Sequence, residues 1–160
     1  MDASLRPWIG PLAVALGIAA YWFALCHAIA ALAGWRALAR AYPARGLGGG
    51  GERIRFAAAQ LRWLTGYNGC LTFEAGPMAL RVSVWPVFRA GHPPLEVPWS
   101  EITARREPRR RWLGARATLR FTRTPEVPVR VTQRLAERLA AASGGQLHLL
   151  DPPADSGAGR

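Results

Sequence analysis

Between Arg6 and Arg36 the chain carries no charged side chain, and this uninterrupted apolar stretch limits what the rest can be. Hydrocarbon offers a backbone no hydrogen-bond partner, so about 20 apolar residues in a row are stable there as a helix that satisfies its own amides. Residues 8–34 therefore read as a single transmembrane helix after a short N-terminal segment, residues 1–7. Trp8 and Trp35 fall at opposite ends of it, where amphipathic rings favour the headgroup region. Pro7 and Pro11 lie in or near its first turn, where a missing N–H costs least. At ~1.5 Å per residue the stretch exceeds a ~30 Å core, which implies tilt or a helix that starts late.

Arg6 is offset by Asp2, whereas Arg36, Arg40 and Arg45 follow the span closely. Positive-inside bias then puts the N-terminus outside a cell (inner) membrane and the remainder in the cytoplasm. A cleavable signal peptide is the rival reading, because Ala28-Ile29-Ala30 and Ala31-Leu32-Ala33 are A-x-A-like. The apolar run exceeds the ~7–15 residues of such a leader, and the charge bias points the other way. A lipoprotein site at Cys26 would need a small residue where Leu25 stands. His27 has neither a carboxylate on its helix nor a second histidine one turn away, so a packing role is expected rather than proton relay. Gly17, Ala20 and Ala24 would permit close helix pairing, a pattern that an alanine-rich span also produces by composition alone.

Residues 35–51 read as a linker, first basic and then glycine-rich. Helix formers run to Pro43, and Gly46-Leu47-Gly48-Gly49-Gly50-Gly51 is flexible chain. It is not a phosphate loop, since no strand precedes it and no Lys-Ser/Thr follows. The net charge of +11 is carried entirely by arginine, the pattern of a GC-rich genome, so part of the basic excess is background. Two cysteines, Cys26 and Cys70, give no disulfide framework.

From Glu52 the pattern alternates. Leu80, Val82 and Val84 oppose Arg81 and Ser83; Ala117, Leu119 and Phe121 oppose Arg116, Thr118, Arg120 and Thr122; Val127, Val129 and Val131 oppose Pro128 and Arg130. Further strands are expected at about 54–63, 70–74, 95–99 and 102–106, with turns at Gly66-Tyr67-Asn68-Gly69, Gly76-Pro77 and Gly91-His92-Pro93-Pro94. About seven antiparallel strands with short connections form a sandwich or barrel, with Pro128 at an edge or bulge. Leu135, Leu139 and Ala142 then recur at helical spacing, with Thr132 to cap the start and Gly144-Gly145 to close the end. This helix should cover one open end of the barrel. The domain spans 52–150, and the tail 151–160 is polar and expected to be disordered.

Seven strands and one C-terminal helix is the order of a pleckstrin-homology-like (PH-like) domain. The stretch Phe88-Arg89-Ala90-Gly91-His92-Pro93-Pro94-Leu95-Glu96-Val97-Pro98-Trp99-Ser100-Glu101-Ile102 resembles a segment of bacterial membrane-anchored PH-like proteins of uncharacterised function. The resemblance covers roughly residues 54–144. It implies a PH-like barrel and a tether, and no catalytic residues.

No aspartate lies between Asp2 and Asp151, and lysine is absent, which removes aspartyl dyads, Ser-His-Asp triads, Walker lysines and Schiff-base lysines from the domain. Cys70, His92 and His148 show no zinc-ligand spacing, and Glu96 and Glu101 are expected to pair with arginines. No cofactor, metal or catalytic residue is expected. The distinctive constellation is basic: Arg105, Arg106, Arg109, Arg110 and Arg111, followed by Trp112, at a hairpin tip. It would serve either an anionic leaflet, at about 1 kcal/mol per residue, or simply a solvated strand edge. Nucleic acid is disfavoured, because no recognition helix or RNP-like strand accompanies the charge. Of Trp63, Trp85, Trp99 and Trp112, most belong in a core, while Trp85 falls opposite the apolar face of its strand as a candidate interface anchor. The chain is thus expected to be a single-pass, non-enzymatic binding module that docks a protein partner at the membrane. Anionic-lipid headgroup sensing through the arginine hairpin is the alternative, and an enzyme with an unrecognised site is a third class.

Overall fold

The computed structural model describes residues 6–46, 50–62, 65–108 and 114–152, with side chains from residue 10 onward. Its first element, α1 (Arg6–Leu32), includes 23 residues, Gly10–Leu32, that are long and apolar enough to cross a membrane. Leu12, Val14, Leu16, Ile18, Tyr21 and Phe23 are all exposed, whereas Cys26, Ala30 and Ala33 are buried against the rest of the chain.

Gly34 ends α1 and begins α2 (Trp35–Ala41) in a left-handed conformation, φ 81°. A Cβ there would lie 2.9 Å from Arg62 Nε and from Val127 Cγ2, so both backbone geometry and space call for glycine. Trp35, Leu38 and Tyr42 follow on one face and are 1%, 1% and 2% exposed. The chain expected to be a linker from residue 35 therefore starts as core: three large apolar residues at i, i+3 and i+7 outweigh the intervening Arg36 and Arg40, which point to solvent. Pro43 stops the helix, as expected from its missing N–H.

The strands are β1 (Glu52–Leu61), β2 (Thr65–Ala75), β3 (Ala79–Val84), β4 (Leu95–Pro98), β5 (Ile102–Arg106), β6 (Arg116–Phe121), β7 (Val129–Thr132) and β8 (Leu149–Leu150). They form one curled, half-barrel sheet in the order β4-β3-β2-β1-β7-β6-β5-β8. The seven expected strands are present; the eighth, β8, pairs parallel to β5 and is too short for any periodicity to announce it. Gly66-Tyr67-Asn68-Gly69, read as a turn, lies inside β2, where register shifts against β1 absorb the extra residues and Gly69 takes φ 68°. The turn comes earlier, around Arg62. Trp63 lies outside the described residues.

The segment Trp35–Pro43 fills the hollow of the sheet and joins its open edge. Trp35 and Leu38 meet Leu61, Leu71, Phe73, Val82, Leu95, Phe121 and Val129 in the core. Tyr42 O accepts from Glu96 N at 3.1 Å, and Pro43 forms a bridge with Leu95. Tyr42 is held on its other side by Arg123, whose backbone N–H donates to Tyr42 Oη at 2.8 Å. The C-terminal helix, α3 (Gln133–Ala142), is capped by Thr132 as expected and buries Leu135, Ala136 and Leu139 against β6, β7 and β8.

This arrangement makes Trp35 a core residue although it follows α1 almost directly. Trp35→Ala should destabilise the full-length protein in detergent by about 3–5 kcal/mol, the usual cost of removing a buried large aromatic. Exposed Trp85→Ala, followed by the same denaturant unfolding, should cost far less. Equal costs would remove α2 from the core.

Candidate functional site

Two basic clefts lie on the convex faces of the half-barrel. The first is about 700 Å³ and is lined by β1, β2, β3 and the loop after β3. Its floor comes from sheet register. Arg53 faces Glu74, Glu74 faces Arg81 and Arg81 faces Glu96, giving an alternating charged row across four strands. Arg53 Nη2 lies 3.0 Å from Glu74, and Arg81 Nη1 lies 3.7 Å from Glu96. Glu96 is nearly fully buried and also accepts from Arg45 N at 2.5 Å, so its charge is compensated from two sides. The next row pairs Thr72 with Ser83, whose hydroxyls have no hydrogen-bond partner among the described residues.

On β1 the register jumps from Ile54↔Phe73 to Ala57↔Leu71, so Arg55 and Phe56 together oppose Thr72. Phe56 takes φ 55°, a left-handed conformation that costs an L-residue roughly 1–2 kcal/mol. The bulge throws its ring outward, 63% exposed, where it meets Trp85 edge-on at 5.5 Å between centroids. Four arginines, Arg53, Arg55, Arg81 and Arg89, surround this cleft against the single Glu74. Among the described residues the Arg55 and Arg89 guanidinium groups have no hydrogen-bond or ion-pair partner.

The second cleft, about 520 Å³, is formed by Thr103, Arg105, Arg106, Glu107, Pro108, Thr118, Arg120, Pro128 and Arg130. Arg106 is engaged by Asp151 at 2.6 Å and by Glu137 at 3.8 Å, and Arg130 by Glu107 at 2.9 Å. Arg105 and Arg120 are exposed and have no side-chain partner among the described residues. The structure thus divides the sequence-predicted residues: Arg105 and Arg106 line this cleft, Trp85 the other. Arg109, Arg110, Arg111 and Trp112 lie outside the described residues. The hairpin leaves β6 at its Arg116 end; the opposite end leads through Arg123 and Val127 to Tyr42 and Gly34, beneath α1.

His92, read as a turn-fixing imidazole, is 2% exposed. Nδ1–H donates to Ala90 O at 2.9 Å, leaving Nε2 to accept from Tyr67 Oη–H at 2.8 Å. Trp35 packs against both rings and donates its Nε1–H to Pro93 O at 2.9 Å. Burial pushes the His92 pKa down and the Tyr67 pKa up, so both rings stay neutral. Burial also pushes the Cys70 thiol up, away from the thiolate a nucleophile needs. Cys26 and Cys70 are both free thiols. Glu101 pairs with Arg123, whose guanidinium holds the carboxyl below its usual range.

Set against known proteins, the chain matches no family model and no curated protein sequence.

Because the folded His92 titrates below its ordinary value of 6.5, the unfolded chain takes up this proton first. The stability contributed by the neutral ring is therefore complete above about pH 6.5 and is lost as pH falls toward the lowered folded value. Thermal unfolding in detergent should give a lower Tm at pH 5.5 than at pH 7.5, and His92→Gln should flatten that difference. An unchanged slope in the variant would assign the dependence to other groups.

Proposed function

We propose that this chain is a non-enzymatic PH-like module, anchored in the cell membrane by α1 with its N-terminus outside, which docks a protein partner at the cytoplasmic face. The observation that carries the reading is the direct seating of the body on its anchor. Cys26, Ala30 and Ala33 of α1 are buried by the body, and Trp35 enters the core one residue after Gly34. Cleavage at either A-x-A-like site would separate α1 from a body that packs on it, which favours an anchor over a signal peptide. The glycine run is not a hinge between anchor and body, because α2 precedes it and Arg45 is already fastened to Glu96. Arg36, Arg40 and Arg45 after the span support the cytoplasmic side.

The second cleft is the surface we assign to the partner. It runs along the outer face of β5, β6 and β7, where exposed Arg105 and Arg120 beside Pro108 and Pro128 suit an acidic protein surface with apolar contacts. The paired Arg106 and Arg130 shape its walls.

Two measurements in cells test this. A phosphatase reporter fused after Arg160 should be inactive and a fluorescent-protein fusion there bright; the opposite result would reverse the orientation. A photo-crosslinking residue at Arg105 or Arg120 should give a discrete adduct with one other protein, and Arg120→Glu should abolish the adduct formed from position 105. Absence of any adduct from both positions in the wild-type background would sink the docking role.

A further inference from the structure

The loop after β3 is clamped to α1 well above the end of that helix. Trp22 Nε1–H donates to Val87 O at 2.9 Å, and the Trp22 ring lies 5.4 Å from that of Phe88. Gly91, φ 73°, sits so close to α1 that a Cβ would fall 3.1 Å from His27 Cα. From Trp22 to Leu32 the helix rises about 15 Å at ~1.5 Å per residue. The loop therefore reaches that far along α1.

On the reading that α1 spans a bilayer, this depth has a consequence. Arg6 bounds the uncharged stretch, so a ~30 Å core needing ~20 residues and beginning anywhere after it extends to Cys26 or beyond. Every such placement includes Trp22, and with it the carbonyl of Val87. We infer that the loop Trp85–Phe88, together with Phe56, is a second membrane contact, embedded in the leaflet beside α1 with Arg55 and Arg89 at the phosphate layer.

The composition of the loop suits that site. Trp85-Pro86-Val87-Phe88 has no charge, and Trp85 and Val87 are 44% and 59% exposed. Most of its backbone polar groups are also paired within the protein. Pro86 has no N–H, Trp85 N donates to Cys70 O, Phe88 N to Trp85 O and Arg89 N to Pro86 O, while Val87 O is taken by Trp22. The strained bulge at Phe56 adds a third exposed apolar side chain on the same rim. Arg55 and Arg89, unpartnered among the described residues, border these apolar groups as cations border interfacial aromatics. The occupant is thus lipid, with headgroup phosphates over the first cleft and acyl chains against the loop.

The test uses the full-length chain in phosphatidylcholine/phosphatidylglycerol nanodiscs. Leu16→Cys, Val87→Cys and Met78→Cys are made in a Cys26→Ala, Cys70→Ala background and labelled with an environment-sensitive fluorophore. Met78 is the control: it is exposed and precedes β3, at the end opposite Trp85. Lipid-borne nitroxides should quench Leu16 and Val87 several-fold more than Met78. Quenching at Leu16 with Val87 behaving like Met78 would overturn the loop contact and leave the span standing. Leu16 behaving like Met78 would remove the span, and the proposal with it. Should the cysteine-free background not fold, the native chain and Trp85→Phe are compared in brominated-lipid nanodiscs. The native chain should lose the larger fraction of its tryptophan emission, and equal losses would overturn the proposal.

Discussion

The structure depends on one packing event, the entry of Trp35 into the hollow of the sheet. A half-barrel has an apolar concave face and an unpaired edge on β4, each costly if left to water. The segment Trp35–Pro43 answers both: Trp35 and Leu38 fill the hollow, and Tyr42 and Pro43 bond to the β4 edge. The indole N–H is satisfied by Pro93 O, so the ring can be fully buried without stranding a donor. Gly34 makes this entry geometrically feasible, since any side chain there would meet Arg62 and Val127. α1 and the body are consequently one mechanical piece.

Much of this fold was legible because strand alternation is a strong signal. The strands with one buried face, β3, β6 and β7, follow the period of two closely, and Thr132 marks the start of α3. What escaped had specific causes. Three arginines made residues 36–45 look like solvated linker, although Trp35, Leu38 and Tyr42 carry a helical spacing that could have been read. The glycines in Gly66-Tyr67-Asn68-Gly69 mimic a turn but serve a bulge. β8 pairs with β5 from a distance and has no pattern of its own.

The first cleft was half visible. Trp85 betrays itself by breaking the parity of β3, whereas Phe56 is turned outward only by the bulge. Its arginines are dispersed along the chain and become neighbours only through register, while the contiguous run at 105–111 drew attention by proximity in sequence alone. Pairing separates organised arginine from compositional background. Arg53 and Arg81 are tied into the charged row, and Arg55 and Arg89 stand apart from it at the rim.

The position of β1 bears on how the chain reaches this state. β1 lies mid-sheet and takes partners from both directions, β2 next to it in sequence and β7 some seventy residues later, as in Ala59↔Val131. Synthesis proceeds from the N-terminus, so α1 and the β1–β2–β3–β4 meander emerge well before β7 can complete the sheet. During that interval one edge of β1 is open, and Gly34 lacks the contact it will make with Val127. Long-range pairings of this kind are slow to form. Nascent chains truncated before β7 are therefore the species most exposed to mispairing, and the closing of β7 on β1 is what joins the two halves of the sheet.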